Sequence, residues 1–151
     1  MGTPAQDRPL AAPISDAFSA PFWKAAAEGT LLVRCCNACR AVHWYPRAHC
    51  PFCFSDDTAW QPSPGKGSIY SVSVTRKAGP QPYAIAYVTL DEGVTLLSNI
   101  VECDLDGLRI GDRVEVVFKP TDGGAFMPMF RPVHSTQNRT TPALDCNPSE
   151  V

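Results

Sequence analysis

Hydrophobic spacing changes character twice along the chain. Between positions 18 and 29, Phe18, Phe22, Trp23 and Ala26 recur about one helical turn apart, which predicts a short amphipathic helix. Ser15 or Ser19 is placed to cap it, Pro21 suits its first turn, and Gly29 ends it. Residues 30–34, with Leu31, Leu32 and Val33, predict a strand that leads into a cysteine-rich stretch. From position 68 the period becomes two. Segments 68–76, 83–90, 94–101, 114–118 and 126–133 predict strands, with Asp91-Glu92-Gly93 as a tight turn and 105–113 as a short helical turn. Pro128 and Pro132 confine the last strand to an edge.

Five short strands in one run predict a small closed barrel of the OB type. The expected class is therefore mainly β: an N-terminal helix, a zinc ribbon of rubredoxin-like spacing, and a C-terminal five-stranded OB-fold barrel. The expected divisions are a flexible N-terminal segment at 1–17, helix plus ribbon at 18–60, the barrel at 61–133, and a flexible or partner-wrapping tail at 134–151. Residues 61–65, holding Pro62, Pro64 and Gly65, form the expected linker.

The ribbon carries the chemistry. Cys36-x2-Cys39 and Cys50-x2-Cys53 are two knuckles separated by residues 40–49, and each can turn two thiolates toward one point at the spacing a tetrahedral metal needs. Cys35 with Cys39 gives a three-residue alternative, but two-residue spacing is the commoner knuckle, so Cys36 is the expected ligand. Zinc and iron both accept four thiolates, and sequence does not choose between them. Four thiolates leave no coordination position for a water, so the metal is structural, and structural zinc supplies about 10–16 kcal/mol of apparent binding energy. Arg34, Arg40 and Arg47 stand where they can offset the thiolate charge. His43 and His49 are not needed as ligands and are assigned surface or interface roles.

Residues 18–60 hold all three Trp together with Phe18, Phe22, Tyr45, Phe52 and Phe54. A ribbon of this length encloses too little volume for so many rings, so some are expected at an interface. The formal net charge is −2, and Lys/Arg nearly balance Asp/Glu over the barrel. That argues against a nucleic-acid backbone as the main partner. There is no apolar run of 18 residues and no signal-peptide pattern, so no membrane partner is expected. Seven cysteines in that context point to a metal and free thiols in the cytoplasm.

The order of elements carries more information than any one motif. A Phe-Trp helix ending in Gly29 is followed by two C-x2-C knuckles with Pro46-Arg47 before the second. Then come Gly65-x-Gly67-x-x-Tyr70 and a barrel segment Leu108-Arg109-Ile110-Gly111-Asp112-Arg113-Val114-Glu115-Val116-Val117-Phe118. Over about residues 18–133 this resembles the DUF35 family, in which a rubredoxin-like zinc ribbon is joined to an OB-fold. Arg40 and Phe54 depart from the family pattern, which usually has a small residue, often Gly, after each knuckle.

The resemblance implies a non-catalytic subunit of a thiolase-like acyl-CoA enzyme, in a hetero-oligomer, helping to form the CoA and acyl site. Relatives also serve degradation of aromatic compounds and steroid side chains. Chemistry would reside in the partner: a Cys thiolate attacks a 3-oxoacyl-CoA carbonyl, or an aldolase partner performs retro-aldol cleavage instead. No catalytic residue is assigned to this chain. Arg47, Trp44, Tyr45, Arg76 and Lys77 are candidates for contact with CoA or the partner, since CoA presents phosphates and an adenine ring. Phe18, Phe22 and Trp23 are candidates for docking. The alternatives are a stand-alone acyl-CoA-binding protein and a ribbon/OB nucleic-acid module.

Overall fold

The structure, a computed structural model, describes residues 2–5 and 8–133. One helix, α1 (Ala20–Ala27), precedes a three-stranded sheet of β1 (Leu31–Cys36), β2 (Val42–His43) and β3 (Thr58–Ser63), ordered β2-β1-β3. A closed barrel follows, built from β4 (Lys66–Thr75), β5 (Tyr83–Leu90), β6 (Thr95–Ile100), β7 (Arg113–Pro120) and β8 (Phe126–Pro132) in the order β4-β5-β6-β8-β7.

The helix ends by local rules. The Thr30 N–H donates to Ala25 O at 2.9 Å and the Gly29 N–H to Ala26 O at 3.1 Å. This is the Schellman pattern, and Gly29 supplies its left-handed residue at φ 79°. At the other end Ser19 occupies the cap position without a side-chain capping bond. Asp16 builds that turn instead, its carboxylate accepting the N–H groups of Phe18 and Ser19 at 3.0 and 2.7 Å.

The sequence reading assigns residues 61–65 to a linker, yet β3 runs through Ser63 and pairs with β1 from Leu31↔Ser63 to Cys36↔Thr58. Pro62 hides this strand from propensity, and an edge strand is where a proline is tolerated. The N-terminal stretch also departs from the expectation of a flexible segment. Thr3 O accepts from Leu105 N–H, Ala5 N–H donates to Cys103 O and Leu10 O accepts from Asp122 N–H, so this arm lies along the chain's own barrel. Residues 134–151, expected as a tail, lie outside the described residues.

Barrel closure needs a strand that serves two neighbours. The start of β4 does so: Gly67 pairs with Leu90 of β5 and with Val114 of β7. A Cβ at Gly67 would stand 2.4 Å from Thr89 O and 3.0 Å from Leu90 Cα, both main-chain atoms, so only glycine fits where β4 turns between the two. A register shift between Ile69 and Ser71 then places Tyr70 outside. The loop before β7 locks onto this irregularity, with Gly111 N–H donating to Ile69 O and Ile69 N–H to Asp112 O. Arg113 clamps the same corner, its guanidinium binding the Asp91 carboxylate through two 2.7 Å bonds and Ser68 Oγ at 3.0 Å.

A single core joins ribbon and barrel. Helix α1 packs on both β1 and β8. Phe22, fully buried, meets Trp23 and Trp44 edge-on at 4.9 and 5.1 Å and stacks on Trp60 at 6.5 Å. The same apolar cluster continues through Leu31 and Val33 to Ile69, Val88 and Phe130 of the barrel. Phe22→Ala is therefore expected to cost about 3–5 kcal/mol of unfolding free energy. Phe18→Ala, at a ring 59% exposed, should stay within about 0.5 kcal/mol of the parent. Urea unfolding of the two variants checks this.

Candidate metal centre

The two knuckles are built alike. In the first, Arg40 N–H donates to Cys36 O and Cys36 N–H to Ala41 O, each at 2.9 Å. In the second, Phe54 N–H donates to Cys50 O at 3.0 Å and Cys50 N–H to Ser55 O at 2.9 Å. Main-chain amides also point at sulfur, Cys39 N–H toward Cys36 Sγ at 3.5 Å and Phe52 N–H toward Cys50 Sγ at 3.4 Å. Such donors favour the thiolate form.

This turn needs a left-handed residue directly after its second cysteine. Arg40 and Phe54 take that conformation, at φ 63° and 62°. The departures from glycine therefore leave the turn shape unchanged, at a strain of about 1–2 kcal/mol per residue.

Cys36, Cys39, Cys50 and Cys53 each present a sulfur, and all four lie within 4.8 Å of one another. The sulfurs of Cys36 and Cys53 are 3.5 Å apart, and those of Cys39 and Cys50 are 3.6 Å apart. A tetrahedron with metal–sulfur bonds of about 2.3 Å has edges of about 3.8 Å, so the donor set fits a tetrahedral thiolate-bound ion. Cys36 and Cys50 are buried, while Cys39 and Cys53 are exposed. Cys35 is outside the cluster.

The electrostatics of the bare cluster show why it wants a cation. The Ala41 amide favours the Cys39 thiolate, but desolvation and the three neighbouring sulfurs outweigh it and push Cys39 up to about 12. Burial opposes ionisation of Cys50, yet the Cys53 and Phe52 amides and the adjoining sulfurs bring it down to about 7. Four sulfurs at this separation cannot all ionise without a positive charge between them.

The remaining predicted residues fall into distinct settings. Arg34 donates to Thr58 O at 3.2 Å and also binds Thr58 Oγ1, with its guanidinium 4.7 Å from the Trp60 ring centroid; it ties β1 to β3. His43 is buried, and burial with the charges of Arg34 and Arg47 holds its imidazole below the usual range, so it is neutral at pH 7. It is not part of the sulfur cluster. Trp44 packs inward on Phe22, whereas Tyr45 and Arg47 face outward from the ribbon. Arg76 and Lys77 sit on the loop after β4, both exposed, and Arg76 is ion-paired to Asp106. These candidates thus form two groups, one on the ribbon and one on the barrel.

Of the docking candidates, Phe22 is consumed by the core, Trp23 is half-buried beside it, and Phe18 is exposed. Sequence reasoning missed a different surface. Tyr70, Ile85, Tyr87 and Leu97 project outward from β4, β5 and β6, and Tyr87 lies directly opposite Leu97. The signal was available: in β5, Ile85 and Tyr87 occupy the positions that alternation assigns to solvent. Cys103 is half-buried, and desolvation followed by the Asp104 charge pushes its thiol up to about 11, which keeps it protonated and unreactive at neutral pH.

Two adjoining family descriptions match this sequence: "ChsH2, rubredoxin-like zinc ribbon domain" over residues 23–59 and "ChsH2, C-terminal OB-fold domain" over residues 60–119. A DUF35 domain-containing scaffold protein of Methanothermobacter thermautotrophicus is 38% identical over 90 residues, covering 56% of this chain and 68% of that protein. A Thermomonospora curvata protein named "Probable enoyl-CoA hydratase alpha subunit" is 34% identical over 116 residues; the match covers 74% of this chain but spans only 36% of the relative's length. Among solved structures, a chain of "Ltp2-ChsH2(DUF35) aldolase" superposes with a TM-score of 0.70 at 31% identity, covering 80% of this chain and 98% of that one.

Removing the metal with a chelator should expose the amides of β1–β3 to hydrogen exchange first, with the barrel strands protected longer; equal loss in both would contradict a ribbon held by its metal. Phe54→Gly, which relieves the left-handed strain at an exposed ring, should stabilise the metal-loaded protein by about 1 kcal/mol in thermal unfolding.

Proposed function

Because the chain belongs to the DUF35 family, whose members join a zinc ribbon to an OB-fold, we propose that it is a non-catalytic accessory subunit. Its partner in this reading is a larger thiolase-like acyl-CoA enzyme, either a thiolase cleaving 3-oxoacyl-CoA or a related aldolase. The ribbon metal is zinc in a structural role, since four cysteines close its coordination sphere.

The observation that carries the reading is the outward face of the barrel. Tyr87 and Leu97 are 48% and 55% exposed and pair across strands, Tyr70 is 69% exposed, and their neighbours on the face are Ser71, Ser73 and Asn99 rather than charges. Interface cores are depleted of charge and enriched in aromatics in this way. On the ribbon, Phe52 and Phe54 add two more rings that the chain's own core does not use. The relatives named as scaffold proteins and the neighbour from an aldolase complex support docking of this kind. Arg47 and Tyr45, both exposed and two residues apart on the ribbon, supply a cation and a ring face suited to a CoA phosphate and adenine at the edge of the partner's site.

Tagged full-length chain purified from its native source should bring down a thiolase-like protein in fixed ratio, with about one zinc per chain by metal analysis. Tyr87→Asp should abolish the association while changing stability by less than about 0.5 kcal/mol. Arg47→Ala should leave the complex assembled and weaken its affinity for CoA. A metal-loaded chain that remains alone, or a complex indifferent to Tyr87→Asp, overturns the subunit reading or its docking face respectively.

A further inference from the structure

The barrel ladder is thinnest at one place. Strand β8 is bonded along its length to β7, from Val114↔Pro132 to Pro120↔Phe126, but meets β6 through one parallel bridge, Ile100↔Phe130. Across that seam Val101 N–H donates to Phe130 O at 2.8 Å and Ser98 Oγ to Pro128 O at 3.0 Å. The N-terminal arm crosses here, fastened by Ala5 N–H to Cys103 O at 2.9 Å, Leu105 N–H to Thr3 O at 2.8 Å and Asp122 N–H to Leu10 O at 3.0 Å. Thr3 Oγ1 also donates to Asp106 at 2.7 Å, the carboxylate that pairs with Arg76.

Between arm and seam is a cavity of about 220 Å³. Its walls are mostly apolar, with Leu10 from the arm and Ile100, Val101 and Met129 from the barrel. Two cations line it, and their circumstances differ. Lys119 is bound to Glu102 at 2.7 Å, so its charge is already answered. The Arg8 guanidinium lies 3.9 Å from the Tyr83 ring centroid, and among the described residues no carboxylate is in ion-pair contact with it. The ring fixes the plane of the guanidinium while leaving its N–H groups available for a bidentate acceptor.

We propose that this cavity binds a small apolar carboxylate, its ring or short acyl chain against Leu10, Ile100, Val101 and Met129 and its carboxylate on Arg8. Size decides the class. An apolar cavity of about 150 Å³ accepts benzene, whereas sites for drug-sized molecules run to about 300–1,000 Å³. A CoA ester is too large for such a space, so the site is separate from the CoA contact proposed above and does not depend on it. A ligand seated here would bridge arm and barrel, so its occupancy would also fasten the arm.

The test uses the full-length, metal-loaded chain with benzoate as probe and benzyl alcohol as its uncharged match, titrated by calorimetry and by amide chemical shifts. Saturable benzoate binding is expected, with shifts at Val101 and Met129 and at least tenfold weaker binding of benzyl alcohol. Arg8→Gln should weaken benzoate at least tenfold. Ala5→Trp, which fills the cavity from the arm without altering a barrel strand, should abolish it. Absence of saturable binding, equal affinity for the two probes, or full affinity in Arg8→Gln would overturn the proposal.

Discussion

Convergence of four sulfurs on one point is the constraint from which the rest of the molecule follows. A segment of about 40 residues cannot bury enough apolar surface to hold itself folded, and chains of that size usually need a metal, disulfides or a partner. Here each knuckle spends most of its main-chain bonds on shaping a turn around its own cysteines, and the two turns meet through sulfur and through Asn37, whose main-chain and side-chain N–H groups donate to Asp57 O at 2.9 Å and Asp57 Oδ1 at 2.8 Å. With the sulfurs gathered, β1 is fixed at its end by Cys36, and the β1–β3 ladder and the Arg34 bridge to Thr58 fall into register. A metal held by these four sulfurs would thus act on the sheet through the chain, by way of its cysteine ligands.

What that sheet then positions is Phe22. The helix has little to hold it except its face, and that face is gripped from two sides: Trp44 and Trp60 from the ribbon, β8 from the barrel. An aromatic junction of this kind is stiff, because ring planes set edge-on or stacked have few alternative packings. Ribbon and barrel consequently present their outer surfaces as one body. A partner that reads Phe52 and Phe54 on the ribbon and Tyr87 and Leu97 on the barrel encounters a preformed arrangement, and the ordering cost of binding falls accordingly.

Much of this was legible because it is local. The Gly29 stop, the spacing of Cys36, Cys39, Cys50 and Cys53, and the alternation of β5 each encode their structure within a few residues. Features that depend on distant contacts were not. Pro62 argues against a strand until β1 is known to lie on one side of it and solvent on the other. Phe22 and Phe18 are equivalent in a helical pattern, and only the positions of Trp44 and Trp60 make one of them core. The arm at Thr3–Ala5 has the composition of a tail, since what holds it is main-chain bonding to residues 103–105 and the distant Asp106 carboxylate, neither visible in local composition.

Three backbone positions separate fold requirements from family habit. Gly67 is dictated by steric contact: main-chain atoms of Thr89 and Leu90 occupy the space of any Cβ, and no relaxation of a side chain can free it. Arg40 and Phe54 face only a conformational penalty, and a closed metal site can carry a penalty of about 1–2 kcal/mol each because its binding energy is about ten times larger. A side chain at position 54 is then free to be chosen for what it meets outside. Phe54 is 78% exposed on a turn where glycine would be easier, directly after the exposed Cys53 of the sulfur cluster. An exposed aromatic kept at a conformational cost makes physical sense when its counterpart belongs to another surface.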